Sequence, residues 1–209
     1  MSVPPRPGLL HRPLSDVLSA LASQHELAGG GCPAAALTAA SAAALTAKVA
    51  RGSRATWIEA GGAIAHAESL RMQAQALIER DADAYRDASS ALLRSERSAR
   101  RGVAAPAIVT TSVADRERLV GEALTHAADL ALAIANASSE IAQLAAAVAR
   151  SCPSSLRPDA LTAVALAEAA TCAAAQLVEV NRRLPADDQR RAASSEAAEA
   201  ALKARERAL

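Results

Sequence analysis

Apolar and polar positions alternate at helical spacing along most of the chain. Between Asp115 and Arg150, the larger apolar residues recur at intervals compatible with one buried helix face: Leu119, Leu124, Leu130, Ile134, Ile141, Leu144 and Val148. Similar patterns predict four further helices, from Ser15 to about Ser23, from Pro33 to about Ala50, from Ala63 to about Ser98 and from Ala160 to about Leu184. The polar segment from Pro185 to Arg207 is predicted to lie on the surface or fray.

Proline, glycine and capping residues predict where these helices begin and end. Four prolines predict an irregular arm over residues 1–13, followed by a single helical domain over residues 14–209. Ser15 and Asp159 have side chains suited to cap a helix N-terminus. Gly61-Gly62 is expected to break or loosen the third helix, because glycine is a poor helix former.

Composition narrows the fold class to all-α. Hydrophobic residues make up 51% of the chain, but many of them are alanine, and aromatic residues make up only 1%. Alanine favours helix and is a poor strand residue, and few large side chains are present to fill wide gaps. We expect an antiparallel helical bundle whose helices approach closely through alanine-to-alanine contacts.

Charge and cysteine content exclude several classes of protein. The net charge of +1 argues against a nucleic-acid partner, which needs a clustered basic surface. The three cysteines and four histidines show neither a disulfide framework nor metal-ligand spacing.

The Pro-rich N-terminus does not resemble a signal peptide, and the uncharged stretch 34–47 is too short and too weakly apolar for a membrane span. We expect a soluble, cytoplasmic protein without a bound metal.

The clearest candidate for a binding element is Gly29-Gly30-Gly31-Cys32-Pro33, which leads into the alanine-rich helix. Three glycines let a ligand or another backbone come close, and Pro33 suits the first turn of a helix. A helix that begins here presents N–H groups and a partial positive charge to an anion or a polar ligand edge. The alternative is a tight connection without a ligand. The sequence matches neither a Walker loop nor the dinucleotide-binding fingerprint.

Acidic side chains are the best candidates for acid–base chemistry. Asp81, Asp83 and Asp87 lie within two turns of one predicted helix, where a carboxylate turned into a cleft could act as a general base or stabilise a cation. The alternative is a solvated acidic face. Glu168 lies in an otherwise apolar stretch, so we expect it to be either exposed or functional. Cys32, near a helix N-terminus, is a weaker candidate for a nucleophile.

Several segments, in order, resemble the cyclodeaminase/cyclohydrolase family, which includes the C-terminal domain of formiminotransferase-cyclodeaminase and bacterial methenyltetrahydrofolate cyclohydrolases. The family has a short helix, a glycine-rich turn and an alanine-rich helix, similar here to Leu14–Ser23, Ala28–Cys32 and Ala34–Ala50. Its Asp-x-x-Ala-Phe element resembles Asp81-Ala82-Asp83-Ala84-Tyr85. Its late Asn-Val-x-Ile-Asn motif resembles Leu177-Val178-Glu179-Val180-Asn181.

The resemblance implies an all-helical fold, a homodimer and a folate site that needs neither a metal nor a redox cofactor. The family hydrolyses 5,10-methenyltetrahydrofolate to 10-formyltetrahydrofolate or releases ammonia from 5-formiminotetrahydrofolate. By resemblance, Asp81 or Asp159 stabilises the cationic substrate and helps to deprotonate the attacking water. The residues implied to contact the substrate are Gly29, Gly30, Gly31, Cys32, Arg51, Arg54, Tyr85 and Asn181, with either arginine meeting its glutamate tail.

The chain departs from the family pattern at several of these positions. Ala28 replaces the usual proline before the glycines, Cys32 the usual serine, and Leu177 the first asparagine of the late motif. Leu177 removes one polar group from the expected site. The sequence therefore leaves two alternatives to a folate enzyme. One is a family member without activity that serves as a binding or assembly module, and the other is an enzyme for another cyclic amidine or imine.

Overall fold

Six α-helices and two short 3-10 turns make up the described part of the computed structural model, residues 8–23, 30–100, 113–180 and 188–209. Side chains are described throughout these ranges except at residues 85–100, 113–117, 119 and 120. The helices are α1 Leu14–Ala22, α2 Gly31–Gly52, α3 Ala60–Arg100, α4 Val113–Ser151, α5 Arg157–Glu179 and α6 Gln189–Ala208. The described ranges contain no β-strand, and the predicted all-α fold is confirmed.

The helices pack as two layers. α2 lies between α3 and α5 in one layer, and α4 and α6 pack behind it, with α4 touching all four of the other long helices. Gly31 lies against Leu177 at one end of α2, and Lys48 pairs with Asp159 at the other end. α2 and α5 are therefore antiparallel neighbours, as the predicted bundle requires.

Alanine supplies most of the buried core. The largest fully buried apolar side chains are few: Leu130, Ile134, Ile141, Val49, Val148, Val164 and Val178. Between them the interior is filled by alanines with no exposed surface, such as Ala43, Ala145 and Ala167. Contacts between alanines bring helix backbones close together, so the interface has little room for a larger side chain.

Several predicted helix boundaries are wrong in detail. α3 is continuous through Gly61-Gly62, because packing against α2 and α4 outweighs the low helix propensity of two glycines. α1 begins before Ser15 and α5 before Asp159, so neither residue caps its helix. Proline stands at the start of both helices, where its fixed φ favours helix entry without a side-chain cap.

The C-terminal segment forms a core helix. Asp188 caps α6, because its carboxylate accepts a hydrogen bond from the backbone N–H of Arg190 at 2.9 Å. The helix packs against α4 and α5 and buries residues spaced three or four apart: Ser194, Ala197, Ala201, Ala204 and Ala208. The prediction that this segment lies on the surface or frays is wrong, because its buried face consists of small residues and not of large apolar ones.

The N-terminal arm is fastened to α3. The backbone N–H groups of Leu9 and Leu10 donate hydrogen bonds to the carboxylate of Glu79 at 3.1 and 2.7 Å, and Leu9 is buried. Leu9–His11 therefore form a 3-10 turn within the arm that was predicted to be irregular, whereas residues 1–7 lie outside the described ranges. The arm and α1 together enclose an apolar cavity of about 150 Å³ against Pro33 and Leu37 of α2.

In the part of the chain that the structure describes, three helical segments are long and apolar enough, by length and composition, to cross a membrane. They are Gly31–Gly52, Gly121–Ser151 and Ser154–Glu179. α2 as a whole is longer than the stretch 34–47, and with 22 residues it reaches a length that the stretch itself does not. Within the bundle, these three segments pack against one another.

Arg157 links the C-terminal ends of α4 and α6, since its guanidinium donates hydrogen bonds to the carbonyl oxygens of Ala149, Ala208 and Leu209 at 3.2, 2.8 and 3.4 Å. A cation is favourable at helix C-termini.

Arg157→Ala is expected to lower the free energy of unfolding by about 2 kcal/mol, measured by urea denaturation followed by circular dichroism. The control Arg207→Ala removes an exposed arginine of α6 and should change stability by less than about 0.5 kcal/mol. Equal stabilities of the two variants would contradict this role.

Candidate functional site

Two predicted site residues meet at the N-terminal end of α2. Cys32, in the first turn of α2, donates a hydrogen bond from its thiol to the carboxylate of Asp81 on α3. Asp81 is 8% exposed, although it carries a titratable group. His126 on α4 lies close enough for its charge to act on the Asp81 carboxyl. Two helices therefore bring a thiol and a carboxyl together at one end of the bundle, within range of the charge of an imidazole on a third helix.

Burial controls the protonation of this cluster. Desolvation raises the pKa of Asp81, and the hydrogen bond from Cys32 and the charge of His126 offset that rise only in part. Desolvation, followed by the charge of Asp81 and the hydrogen bond to it, raises the pKa of Cys32 to about 12. The Cys32 thiol therefore stays protonated at neutral pH, which argues against its weaker candidacy as a nucleophile. A carboxyl group with a raised pKa is a better proton acceptor than an ordinary exposed aspartate.

The glycine turn accommodates a leucine from α5. A Cβ atom on Gly31 would lie 2.9 Å from Cδ2 of Leu177, whereas a Cβ atom on Gly30 would meet nothing within 4 Å. A side chain at position 31 would therefore have to displace the tip of Leu177. Gly30 is the N-cap of α2 with a φ of −128°, so it does not use the left-handed region, and no side chain caps the helix. The backbone N–H groups in the first turn of α2 therefore lie at the helix end that was predicted to bind a ligand. Gly29 lies outside the described residues.

The second predicted catalytic carboxylate lies far from the first. Asp159 forms an ion pair with Lys48, with 2.7 Å between Oδ2 and Nζ. Lys48 lies sixteen positions beyond Cys32 on α2, which corresponds to about 24 Å along the helix axis. The structure therefore does not bring Asp159 to Asp81 within one chain.

The predicted basic residues also lie at the far end of α2. Arg51 pairs with Glu68 of α3, and Arg54 is exposed in the connection that follows. Of the remaining predicted residues, Asn181 lies outside the described ranges, and only the helical backbone of Tyr85 is described. Cys32, Asp81 and the start of α2 are thus the predicted residues that the structure brings together.

Sequence reasoning missed His126 as a member of this cluster and grouped it with isolated histidines. Asp81 lies on a different helix, 45 positions earlier, so no local spacing could indicate that the charge of His126 acts on it. The relevant signal is the antiparallel arrangement of α3 and α4, which their His66–Glu140 pair also reflects. Within the described residues, no group of three or more histidine, cysteine, aspartate or glutamate side chains is arranged to hold a metal ion.

Glu168 has a structural partner instead of a place in the site. Its carboxylate accepts a hydrogen bond from Arg205 of α6 at 2.8 Å, and its side chain is 13% exposed. The expected exposure of Glu168 is wrong, because an arginine 37 positions later in the chain pairs with its carboxylate, whereas a functional role of Glu168 stays a prediction.

Comparisons with known proteins agree with this fold. A family model described as formiminotransferase-cyclodeaminase matches residues 13–200. The chain is similar in structure to formiminotetrahydrofolate cyclodeaminase from Thermotoga maritima, with a TM-score of 0.73 and 18% identity over 96% of this chain and 95% of that chain. At that identity, the likeness shows a shared fold. The comparison with curated proteins finds no match. Because the family model spans most of the sequence, the chain belongs to the formiminotransferase-cyclodeaminase family.

Proposed function

We propose that the protein acts on the one-carbon unit of a tetrahydrofolate derivative. It would hydrolyse 5,10-methenyltetrahydrofolate to 10-formyltetrahydrofolate, release ammonia from 5-formiminotetrahydrofolate, or do both. The observation that carries this proposal is the buried Asp81 carboxyl, which accepts a hydrogen bond from Cys32 at an N-terminal helix end without a side-chain cap. Family membership supports the substrate class.

In the hydrolytic reaction, Asp81 would act as the general base. The methenyl carbon lies between N5 and N10 in a delocalised cation, and a negative carboxylate nearby stabilises that charge. Asp81 takes one proton from the attacking water molecule while the water oxygen forms a bond to the methenyl carbon. The second proton moves from the new hydroxyl to N5 as the bond between carbon and N5 breaks, which leaves the formyl group on N10. The proton that Asp81 accepts then leaves to solvent.

The start of α2 would bind the substrate. Backbone N–H groups of its first turn suit the polar edge of a pterin ring, and the Cys32 thiol orients the Asp81 carboxylate. Arg51 lies nineteen positions beyond Cys32, about 28 Å along α2, which is too far for it to meet the glutamate tail in the same chain. Neither reaction changes the oxidation state of carbon, so we propose no redox cofactor, and we place the reaction in the cytoplasm.

The test of this proposal is turnover of both folates by the purified protein. Loss of the methenyl absorbance should be faster than in buffer, or 5-formiminotetrahydrofolate should release ammonia. The rate should fall as the pH drops through the raised pKa of Asp81, because a protonated carboxyl accepts no proton. A protein with native helix content that accelerates neither reaction would contradict the proposal.

The position of Leu177 favours a second candidate, a family member that binds without catalysis. The side chain places an apolar group against Gly31, where the family pattern has an asparagine. Such a protein would be inactive, yet its melting temperature would rise in the presence of tetrahydrofolate compounds. Thermal unfolding with and without 5-formyltetrahydrofolate, a stable relative of these substrates, distinguishes this candidate from an assembly module that binds no folate.

A further inference from the structure

A cavity lies beneath the N-terminal arm and α1, beside the first turn of α2. Its volume is about 150 Å³, and residues of the arm, α1, α2 and α3 form its walls. Most of the residues that line it are apolar: Leu9, Leu10, Leu14, Val17, Leu21, Pro33, Leu37 and Ile78. Arg12 is the one charged residue among them. Because a bound water molecule needs several hydrogen-bond partners, walls of this composition suit an apolar molecule better than water.

The cavity has a buried base and an exposed rim. Leu9 and Ile78 belong to one buried cluster of the core, and Pro33 beside them is also buried. At the rim, Leu10 and Leu14 are 38% and 63% exposed. A small molecule can therefore reach the cavity from solvent, and its inner end then contacts side chains of the bundle core.

The cover of the cavity is fastened before any ligand binds. The carboxylate of Glu79 on α3 accepts hydrogen bonds from the backbone N–H groups of Leu9 and Leu10. α1 begins at Leu14, shortly after this fastened turn, and places Val17 against the cavity. A preformed pocket binds its ligand without the entropic cost of ordering a loop.

We propose that this cavity binds a single aromatic ring. A dry cavity of about 150 Å³ between aliphatic side chains is large enough to hold a benzene molecule. Arg12 adds a guanidinium to the lining, and a cation is attracted to the face of an aromatic ring. Size, apolar walls and the adjacent cation therefore all agree with a six-membered aromatic ring.

The ring can come from either of two sources. The first, which rests on the proposed function, is the p-aminobenzoyl group of a tetrahydrofolate, whose ring is attached to N10 beside the reacting carbon. The base of the cavity adjoins the candidate site, because Pro33 directly follows Cys32 on α2. On α3, Ile78 precedes Asp81 by about one helical turn. The second source is a separate small aromatic molecule, which would hold the arm and α1 against α2.

The first test uses benzene as the probe, because it carries only the ring. Methyl resonances of Val17, Leu37 and Ile78 should shift when benzene is added to the methyl-labelled protein, and the melting temperature should rise. Leu37→Trp fills the cavity with its own side chain, so it should bind benzene at least about tenfold more weakly. The matched control Leu202→Trp, at an exposed position of α6, should bind it like the wild type.

Circular dichroism establishes that each variant is folded, and Val17→Phe fills the same space from α1 if Leu37→Trp fails to fold. A wild-type protein whose cavity methyl resonances do not respond to benzene would overturn the proposal. Equal benzene affinity in the wild type and a folded filled variant would overturn it too, because the ring would then bind elsewhere.

Two further measurements distinguish the sources. If the ring belongs to the substrate, p-aminobenzoylglutamate should displace benzene, and Leu37→Trp should raise KM for 5,10-methenyltetrahydrofolate at least about tenfold with little change in kcat. If the ring belongs to a separate molecule, benzene should bind while p-aminobenzoylglutamate does not displace it and KM stays unchanged. A protein that binds benzene here but turns over neither folate would contradict the proposed activity and leave the ring site standing.

Discussion

Replacing Asp81 by asparagine is expected to lower kcat for hydrolysis of 5,10-methenyltetrahydrofolate at least about 100-fold, the usual effect of losing a general base. Asparagine has nearly the same shape as aspartate, and its carbonyl oxygen can still accept the hydrogen bond from Cys32. It cannot take a proton from the attacking water, and it carries no charge to stabilise the cation. Initial rates from the methenyl absorbance, at several substrate concentrations, separate kcat from KM.

Two matched variants locate the effect at Asp81. Asp83→Asn makes the same chemical change on the same helix, at an exposed position two residues away. Asp159→Asn removes the other carboxylate implied by the family resemblance, which pairs with Lys48 about 24 Å from Cys32 along α2. Both should keep turnover within a few-fold of the wild type. If Asp81→Asn turned over as fast as they do, Asp81 would have no catalytic role.

The same variant separates catalysis from stability. Because burial raises the pKa of Asp81, the folded state favours the protonated carboxyl, and the ionised group destabilises the fold at neutral pH. Asp81→Asn should therefore be more stable than the wild type at pH 7. The difference should narrow as the pH falls through the raised pKa of Asp81 towards the ordinary aspartate value of 3.8, and it should stay constant below that value, where the group is protonated in both states. Urea denaturation at several pH values measures it, and lower stability of the variant at pH 7 would contradict the role of burial.

Enlarging a core alanine is expected to have the second-largest effect. Ala74 of α3 is 1% exposed within the main core, where alanines set the distance between helices. Ala74→Leu adds three carbon atoms to a space already filled, so it should lower the free energy of unfolding by about 3 kcal/mol. The melting temperature should fall by about 6–12 °C for a chain of this length.

The control for this substitution lies two positions further along the same helix. Ala76 is exposed, so Ala76→Leu should change the free energy of unfolding by less than about 0.5 kcal/mol. The comparison removes any effect of leucine on helix propensity. An unchanged melting temperature for Ala74→Leu would mean that the core has unfilled space and that alanine does not determine the helix spacing.

The all-α class was predictable because alanine favours helices over strands and because the chain has very few of the aromatic residues that strands prefer. The place of α6 was not, since its buried face consists of serine and alanine, which a search for large apolar residues overlooks. Its attachment also uses ion pairs between distant positions, such as Glu168 with Arg205. Local propensity misjudged Gly61-Gly62 as well, because contacts between helices decide whether α3 continues through them.

The candidate site was predictable only in part. The glycine turn and Asp81 were candidates from their residue chemistry and also match family motifs, and in the structure the thiol of Cys32, which follows the glycines, contacts the carboxylate of Asp81. The grouping of Asp159 with Asp81 came from the resemblance, whereas the length of α2 separates them in one chain. His126 was missed, because its neighbourhood depends on how α3 and α4 align, and spacing along one helix carries no such information.

The position of the single tryptophan determines what intrinsic fluorescence can report. Trp57 follows α2 and packs half-buried against the main core, at the opposite end of that helix from Cys32 and Asp81. Its emission should shift when the alanine core opens, which makes it a probe of unfolding. A folate bound at the start of α2 would leave the surroundings of the indole unchanged, so a fluorescence titration that shows no spectral shift would not argue against binding.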